Sequence, residues 1–351
     1  MTSTPANGRT GPGEPAAPAP RRVLLAINPR SGDEKRAEIV ARATRRISER
    51  GGEPLEVILP EAATPAELAE QCRGIVAEAL APGGRPLDAV AVVGGDGMVQ
   101  LGVGLVAGTA VPLGIVPAGS GNDFARAAGI PRRRPVEALE AILRGLEHPE
   151  ASSRAIDAIR IRHTAPGRRP STRWVANSVN VGFDAEVNRR ANELTHLHGT
   201  ARYLAALAEL LPRFRAHSFR MGCDGREPAR YTRCLVAVCN GTSIGGGVRV
   251  APDADLADGE LDVIAVRPVR PRTLATFFPL ALAGRHTKLP WVEMRRLRSL
   301  EIEVPDEVPI YADGEPVGEG GRLSIEVVPG AWRLLRGPAK VEGFGRPSPR
   351  L

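Results

Sequence analysis

Two glycine-rich segments that carry aspartates are the first candidates for chemistry. Gly94–Gly97 and Pro117–Asp123 each follow an apolar run and lead into a helical pattern. Glycine lets backbone N–H groups approach a phosphate closely, and a helix N-terminus adds partial positive charge. A carboxylate in such a loop repels phosphate unless a cation lies between them. Asp96 therefore predicts a bound Mg²⁺ or a water molecule, and Asp123 adds a second carboxylate.

A third segment, Asn28–Gly32, follows the end of the first predicted strand. In the second segment, Ser120 and Asn122 can donate hydrogen bonds to a ligand. Each loop alone is typical of a tight turn. The carboxyl ends of parallel strands meet at one edge of a sheet, where ligands bind. Three such loops on one edge therefore predict a nucleotide site.

The elements that must position these loops are indicated by the hydrophobic pattern. From Val23 onward, short apolar runs alternate with amphipathic stretches, which predicts a parallel sheet wrapped by helices. Thr64, Pro65 and Glu67 form the pattern of a capped helix start. The predicted strands are Val23–Ile27, Pro54–Leu59, Asp88–Val93 and Pro112–Val116, and the predicted helices are Glu34–Arg50, the one that Thr64 caps, Met98–Ala107 and Phe124–Gly129.

After about residue 150, short strands separated by Gly, Pro and Asp turns dominate, which predicts a second, largely antiparallel β domain. Helices are expected near Asp184–Leu194 and Ala201–Leu211. The predicted strands are Ala155–Arg162, Trp174–Val179, Ser218–Met221, Cys234–Cys239, Leu261–Val266, Ser299–Val304, Pro309–Tyr311, Leu323–Val328 and, returning to the first domain, Trp332–Arg336.

These patterns predict two domains between disordered tails. The expected boundaries are 1–20 for the first tail, 21–152 for the nucleotide-binding domain, 153–330 for the β-rich domain, 331–338 for the returning strand and 339–351 for the last tail. The first tail is rich in Pro and Gly, a composition that favours disorder.

Composition and charge limit the partners of the chain. The net charge of +7 over 351 residues favours an anionic partner, such as an acidic membrane or a phosphorylated small molecule. The arginines are dispersed, and no RNA-binding aromatic signature or Cys/His finger spacing accompanies them, which argues against nucleic acid. The longest apolar stretch, around Leu274–Ala283, is about half of a membrane span. With no signal peptide, a cytoplasmic location is expected.

The glycine-rich segments resemble those of the diacylglycerol kinase catalytic family, which includes bacterial lipid kinases and sphingosine kinases. Further along the chain, Asn177–Val187, Asn240–Val263 and Asp313–Pro316 are similar to later motifs of that family. The likeness runs from about Val23 to Arg336. It implies an NAD-kinase-like first domain, a C-terminal β-sandwich, and transfer of the γ-phosphate of ATP to a lipid hydroxyl, most simply that of diacylglycerol.

The resemblance also assigns roles by position. Asp96, Asp123 and Asp157 would surround a catalytic Mg²⁺, and Glu315 would accept the proton with Asp313 beside it. Asp258, with the main chain near Asp255 and Glu260, would hold a second, structural Mg²⁺, although Asp258 with Gly259 also suits a hairpin turn. The residues expected to contact ATP are Asn28, Pro29, Arg30, Ser31, Gly32, Thr64, Gly94, Gly95, Asp96, Gly97, Met98, Gln100, Ser120, Asn122 and Asp123.

Two positions depart from the family pattern. Met98 stands where Thr is common and Gln100 where Asn is common, so side-chain hydrogen bonds to the nucleotide are expected to be lost there. The backbone N–H groups of the turn remain, and catalysis is expected to survive.

Alternative functions share parts of the same pattern. NAD kinases also have the Gly-Gly-Asp-Gly turn and an alternating first domain, whereas the Pro117–Asp123 and Asp313–Pro316 segments favour the lipid kinase. A sphingoid or other lipid acceptor and a non-catalytic nucleotide-binding regulator stay open. The lipid would be met at the anionic inner face of the membrane, and exposed edges of the β domain are compatible with a homodimer.

Overall fold

The computed structural model describes residues 20–31, 38, 41, 45 and 55–336, apart from residues 133, 195 and 198. Gly32, nearly all of the predicted helix Glu34–Arg50 and almost the whole of both predicted tails lie outside the described residues. Among the described helices, none has both the length and the apolar character needed to cross a bilayer.

The first half of the chain alternates strands and helices, as expected. Its elements are β1 (Arg21–Ile27), β2 (Leu55–Ile58), α1 (Pro65–Leu80), β3 (Ala89–Gly94), α2 (Asp96–Val106), β4 (Leu113–Pro117), α3 (Asp123–Ala127), α4 (Pro135–Gly145) and α5 (Pro149–Ser152). Strands β1 to β4 pair in parallel in the order β4-β3-β1-β2.

The second half is largely antiparallel. Its elements are β5 (Ser153–Thr164), β6 (Ser171–Val175), β7 (Ser178–Gly182), α6 (Phe183–Glu193), α7 (Gly199–Leu210), β8 (His217–Cys223), β9 (Ala229–Arg233), β10 (Leu235–Cys239), β11 (Leu261–Val266), α8 (Pro271–Leu282), β12 (Val292–Leu297), β13 (Ser299–Ala312) and β14 (Glu315–Leu335). The predicted α/β fold class, with a parallel sheet first and an antiparallel β part after it, is confirmed. The residue boundaries of the two domains stay a prediction.

Packing on both faces explains why the parallel strands are so apolar. Along β1, Leu24 and Ala26 lie in one buried cluster, whereas Val23, Leu25 and Ile27 lie in another on the opposite face. Neighbouring residues of a strand point to opposite faces, so a sheet covered by helices on both sides needs apolar residues at every position. The central strands therefore hold the loops at their carboxyl ends on a rigid, fully buried support.

The start of α1 has the capping arrangement that the sequence predicts. The Thr64 side chain accepts a hydrogen bond from the N–H of Glu67 at 3.2 Å, and the Glu67 carboxylate accepts one from the N–H of Ala63 at 3.0 Å. The first bond satisfies the N–H of Glu67, which the first turn of the helix leaves without a backbone partner, and the second ties Glu67 back to the residue before the cap.

Strand β14 connects the two halves of the sheet. It is 21 residues long, and it pairs antiparallel with β13 and β5 before its last residues, Leu334 and Leu335, pair in parallel with β4. The sequence predicts two separate strands here, Leu323–Val328 and Trp332–Arg336. They are one strand, because an irregularity between Val328 and Trp332 lets the pairing continue past Pro329 and Gly330.

The sequence predicts one strand, Trp174–Val179, where the chain forms two. The structure has two strands, β6 and β7, separated at Ala176 and Asn177, because the N–H groups of these two residues donate to Asp313 and not to a neighbouring strand. Strands β9 and β12 and helices α4 and α8 were also not predicted. Helices α4 and α8 place buried side chains, such as Leu139 and Phe277, in core clusters that include strand residues.

We expect Trp332→Ala to destabilise the whole protein. Trp332 is 1% exposed, its ring lies 5.6 Å from that of Phe124, and its Nε1 donates to the Asp157 carbonyl at 3.3 Å. Removing a buried Trp leaves a cavity and costs about 3–5 kcal/mol. Urea unfolding followed by circular dichroism measures this loss in the free energy of unfolding.

Leu80→Ala is the control, because Leu80 is 52% exposed at the end of α1 and its loss should cost less than about 0.5 kcal/mol. If Trp332→Ala lowers the free energy of unfolding by less than about 1 kcal/mol, the packing described for Trp332 at the end of β14 is contradicted.

Candidate active site

A cleft of about 1120 Å³ opens where the parallel strands end. Its one wall is formed by the loops after β1, β3 and β4, and its other wall by β7, helices α6 and α7 and the turn between β13 and β14. Residues that the sequence placed in three separate loops thus meet at one site. Those lining it are Asn28, Arg30, Gly95, Asp96, Gly97, Met98, Gln100, Ser120, Asp123, Asp313 and Glu315.

Two glycine loops touch each other at the floor of this cleft. A Cβ atom on Gly119 would lie 2.3 Å from Cα of Gly95, so only glycine allows the contact. Asn122 holds the second loop in shape: its Nδ2 donates to the Gly119 carbonyl at 2.6 Å, and its Oδ1 accepts from the Gly119 N–H at 3.1 Å. Asn122 is 6% exposed and has the left-handed backbone conformation. The structure therefore commits its side chain to the loop, whereas the sequence assigned it to the ligand.

Asp96 and Asp123 lie close together at the start of α2 and α3. A Cβ on Gly121 would be 2.9 Å from Oδ2 of Asp96 and 3.8 Å from Oδ2 of Asp123. The other oxygen of Asp96 accepts from the N–H of Phe124 at 3.1 Å. Asp123 accepts from the N–H of Gly246 at 2.7 Å. The two loops thus bring both carboxylates to the same side of Gly121.

The electrostatics of this pair favour a cation. Burial raises the pKa of Asp96, and burial together with the negative charge of Asp96 raises the pKa of Asp123 to about 6, although Arg126 pairs with Asp123 at 2.5 Å. Two partly desolvated carboxylates that repel each other gain most from a positive ion between them. The pair fits Mg²⁺, which prefers one or two carboxylates completed by waters and phosphate oxygens. The described residues contain no group of three or more acidic, His or Cys side chains arranged to hold a metal.

The opposite wall presents Asp313 and Glu315, and it gives them different environments. Asp313 accepts hydrogen bonds from the N–H groups of Ala176, Asn177 and Ser178 at 2.7, 2.9 and 2.9 Å. Burial raises its pKa to about 6, against the lowering effect of these donors. With both oxygens occupied, Asp313 is a positioning residue.

Glu315 is exposed to the cleft, and its Oε1 lies 3.7 Å from where a Cβ on Gly97 would be. It therefore faces the first glycine loop directly. Desolvation raises the pKa of its carboxyl, while the positive charges of Arg30, Arg202 and Arg173 act to lower it. Of the two acids in this turn, Glu315 is the one available to a bound molecule.

At Met98 and Gln100 the sequence departs from the family pattern. Both side chains make contacts within the protein. Met98 is 6% exposed and packs in a hydrophobic core cluster, with Cγ 2.4 Å from where a Cβ on Gly94 would be. Gln100 donates from Nε2 to the carbonyl of Ala312 at 3.4 Å, which links α2 to the end of β13. Gln100 thus joins the two walls of the cleft.

The first loop and the capped helix contribute less directly. The Oδ1 of Asn28 accepts from the N–H of Arg30 at 3.0 Å, which shapes the turn containing Pro29 and Ser31. Thr64 is used as the cap of α1 and does not line the cleft, although the next residue, Pro65, does.

Asp157 does not line the cleft, and its place in the carboxylate network around a catalytic Mg²⁺ stays a prediction. Its two oxygens accept from the N–H groups of Gly259 and Gly330 at 2.7 and 2.8 Å, and the residue is 2% exposed away from the cleft. A buried carboxylate between two backbone donors holds these loops together. Asp157 lies on β5 opposite the irregularity of β14 between Val328 and Trp332, where Gly330 donates to it.

The second Mg²⁺ site that the resemblance implies stays a prediction, and the acidic side chains of this region have partners within the protein. Asp258 accepts from the N–H of Glu260 at 3.0 Å, and Asp255 accepts from the N–H of Ala257 at 3.1 Å and pairs with Arg154 at 3.3 Å. Glu260 lies 3.9 Å from Arg296. These contacts are those of tight turns and surface ion pairs, in agreement with the hairpin alternative.

Several residues of the cleft were not singled out from the sequence. Tyr203 lines it and donates a short hydrogen bond to Asp184, whose pKa is raised to about 6 by burial. Asp184 belongs to a segment that the sequence did mark, but its partner stands 19 residues later on another helix. Arg126 was recognisable in principle, because it follows Asp123 by one helical turn.

Comparison with known proteins gives a consistent result. Residues 22–154 match the model of the diacylglycerol kinase catalytic domain, and residues 177–336 match that of the YegS C-terminal NAD kinase beta sandwich-like domain. A diacylglycerol kinase of Mycobacterium tuberculosis is 33% identical over 318 residues, which cover 90% of this chain and 95% of the relative. A protein of Stenotrophomonas maltophilia named probable lipid kinase YegS-like is 31% identical, with 74% and 81% covered.

Solved structures agree on the fold. A diacylglycerol kinase from Bacillus anthracis superposes with a TM-score of 0.61 and 18% identity, covering 92% of this chain and 98% of that one. Yeast NADH kinase complexed with NADH superposes with a TM-score of 0.54 and 12% identity, covering 90% and 82%. The predicted likeness of the fold to NAD kinases is thereby confirmed.

We expect Gly119→Ala to disrupt the contact between the two glycine loops. The new Cβ would lie 2.3 Å from Cα of Gly95, and backbone atoms cannot yield cheaply. Binding of a fluorescent ATP analogue should weaken by about tenfold or more, equal to about 1.4 kcal/mol. The melting temperature should fall as well.

Gly104→Ala is the matched control, because nothing lies within 4 Å of a Cβ at Gly104 in α2, and Ala stabilises a helix by up to about 1 kcal/mol over Gly. Nucleotide binding that is equally strong in both variants would show that the loop contact does not shape the site.

Proposed function

Because this chain belongs to the diacylglycerol kinase catalytic family, we propose that it transfers the γ-phosphate of ATP to the hydroxyl of diacylglycerol. The observation that carries the proposal is the opposition of two groups across one cleft. Asp96 and Asp123 stand beside a glycine turn suited to phosphates, and Glu315 faces the same turn from the other wall. A relative named probable lipid kinase YegS-like makes the hydroxyl of another lipid the alternative acceptor.

The nucleotide would bind along the loop wall. The turn Gly95–Gly97 presents backbone N–H groups at the start of α2, an 11-residue helix, and the contact of Gly95 with Gly119 keeps this wall free of side chains. Such donors and the helix dipole favour the negative charge of phosphates. Asn28, Arg30 and Ser120 border the same wall and would contact the rest of the nucleotide.

Asp96 and Asp123 would hold Mg²⁺. When bound, this ion would neutralise charge on the β- and γ-phosphates. The two carboxylates are well suited to that task, because they are held by backbone donors at Phe124 and Gly246 and need not move. In phosphoryl transfer the protein mainly positions the reactants and neutralises charge.

Glu315 would accept the proton of the lipid hydroxyl. A carboxylate cannot ionise an alcohol in advance, but it can take the proton as the oxygen–phosphorus bond forms. Its raised pKa makes it a better acceptor than an ordinary glutamate, and Asp313 fixes the turn from which it projects. Contact of the lipid with an anionic membrane surface would be favoured by the net charge of +7.

The proposal predicts that the purified protein phosphorylates diacylglycerol in vesicles with radiolabelled ATP and Mg²⁺, and that it does so faster in anionic than in neutral vesicles. Asp96→Asn serves as the control. It keeps the size of the side chain but lowers the rate by more than about 10³-fold, equal to about 4 kcal/mol, since the charge beside the phosphates is lost.

Transfer to NAD⁺ in place of lipid would refute the proposed acceptor and support a soluble one. An Asp96→Asn enzyme that is folded and fully active would remove Asp96 from the machinery. Equal rates in anionic and neutral vesicles at low salt would refute only the role of membrane charge and leave the proposed reaction standing.

We expect Glu315→Gln to lower kcat by about 10²–10⁴-fold, the usual contribution of a general base. The KM for ATP should change by less than about twofold, because the carboxylate acts on the acceptor hydroxyl and not on the nucleotide. Steady-state kinetics at saturating diacylglycerol measure both constants.

Glu319→Gln is the matched control on the same strand, since Glu319 is exposed and lies 3.6 Å from Arg189. It should leave kcat within about twofold, as exposed ion pairs contribute little. An unchanged kcat in Glu315→Gln would assign proton acceptance to another group.

A further inference from the structure

Strand β7 turns two of its polar side chains towards the cleft. Val179 and Val181 pack in the core of the β part, so the residues between and before them, Asn180 and Ser178, face the other side of the sheet. Both line the cleft. A strand that is buried on both faces is expected to be apolar throughout, and Asn180 breaks that pattern.

Asn180 is buried without a hydrogen-bond partner. It is 2% exposed, and neither atom of its amide has a hydrogen bond among the described residues, with Oδ1 fully shielded from solvent. Three other asparagines around the cleft donate from their amides to the protein. Asn188 donates to the Asp184 carbonyl at 3.0 Å, Asn192 to the Gly314 carbonyl at 3.0 Å, and Asn177 to the Ser243 carbonyl at 2.8 Å, although Oδ1 of Asn177, like that of Asn180, has no partner among the described residues.

An amide buried in this state destabilises the folded protein, because it has given up its bonds to water and gained none. Such a group is explained when a ligand supplies the missing partner. Oδ1 is shielded, whereas Nδ2 is not among the fully shielded atoms, so Nδ2 is the part of the amide that a molecule in the cleft can reach. As a donor, it can bind a carbonyl or a hydroxyl oxygen.

The location of Asn180 indicates which ligand this is. In the sheet Asn180 pairs with Tyr311 of β13, and two residues further on Asp313 donates its N–H to the Ser178 carbonyl at 2.9 Å. The turn that carries Glu315 follows at once. Asn180 is thus on the wall of the proposed base, opposite the glycine loops that suit phosphates.

We propose that the Asn180 amide donates a hydrogen bond to the oxygen-containing group on the carbon next to the reacting hydroxyl of the acceptor lipid. This bond would set the acceptor specificity. The inference rests on the proposed function. In diacylglycerol this neighbouring group is the ester at the middle carbon of the glycerol backbone. A hydrogen bond from the amide N–H to the ester carbonyl orients the hydroxyl towards Glu315. An acceptor without that oxygen leaves the amide unpaired and is disfavoured.

The first test compares two acceptors in identical vesicles. One is diacylglycerol, and the other is a monoacyl ester of 1,3-propanediol, which keeps a primary hydroxyl but has no oxygen at the middle carbon. The wild-type enzyme should prefer diacylglycerol by about tenfold or more in kcat/KM, the range of one hydrogen bond that must otherwise stay unmade. In Asn180→Ala the preference should fall below about threefold, with the KM for ATP unchanged.

Asn188→Ala is the control on the same wall. Its amide is already bound to Asp184, so any loss should affect both acceptors equally. If the wild-type protein phosphorylates neither lipid, the proposed function fails and this inference with it. If it phosphorylates lipid and Asn180→Ala keeps the full preference, only this inference is overturned.

The second test measures stability and needs no substrate. An amide kept for a ligand contributes nothing to the free protein, so Asn180→Ala should melt at the wild-type temperature or above it. A clearly lower melting temperature, or failure of both Asn180→Ala and Asn180→Leu to fold, would give Asn180 a structural role and overturn the proposal.

Discussion

The structure of the cleft depends on one carboxylate, that of Asp313, and the three backbone N–H groups it binds. These donors belong to Ala176, Asn177 and Ser178, at the point where the chain leaves β6 and enters β7. The bonds interrupt what would otherwise be one strand, and they fix the tight turn between β13 and β14, where Asp313 itself has a φ of 49°. Everything on the second wall, Glu315 included, is placed relative to this junction.

The same junction shows how far the sequence determines the site. Glycine loops are local signals, and the three that the sequence shows, two of them with aspartates, led correctly to one edge of the sheet. The partners of Asp313 are about 136 residues away, and no local pattern records such a pairing. Asp157 illustrates the same limit: the family resemblance assigned it to the Mg²⁺ network, and its bonds to the N–H groups of Gly259 and Gly330 are formed only in the folded chain. Asn122 was assigned to a ligand because a loop asparagine can donate outward as easily as inward.

Gathering acids in one cleft has an energetic cost. Burial and mutual repulsion raise the pKa of Asp123 from 3.8 to about 6, so the native protein holds a proton that the unfolded chain has already lost in this range. The free energy of unfolding therefore falls as the pH rises from about 4 to about 6, since the folded state binds more protons than the unfolded one. Functional sites commonly retain such unfavourable groups, and the buried amide of Asn180 belongs to the same class.

The 21-residue strand β14 has a mechanical consequence. It is hydrogen-bonded to β13 and β5 along most of its length and to β4 at its end, so the two halves of the molecule share one continuous sheet. A rigid rotation of one half against the other would have to break this ladder. Any opening of the cleft to substrates would therefore involve the helices and loops that rim it. The distance between the glycine turn and Glu315 is set by the sheet itself.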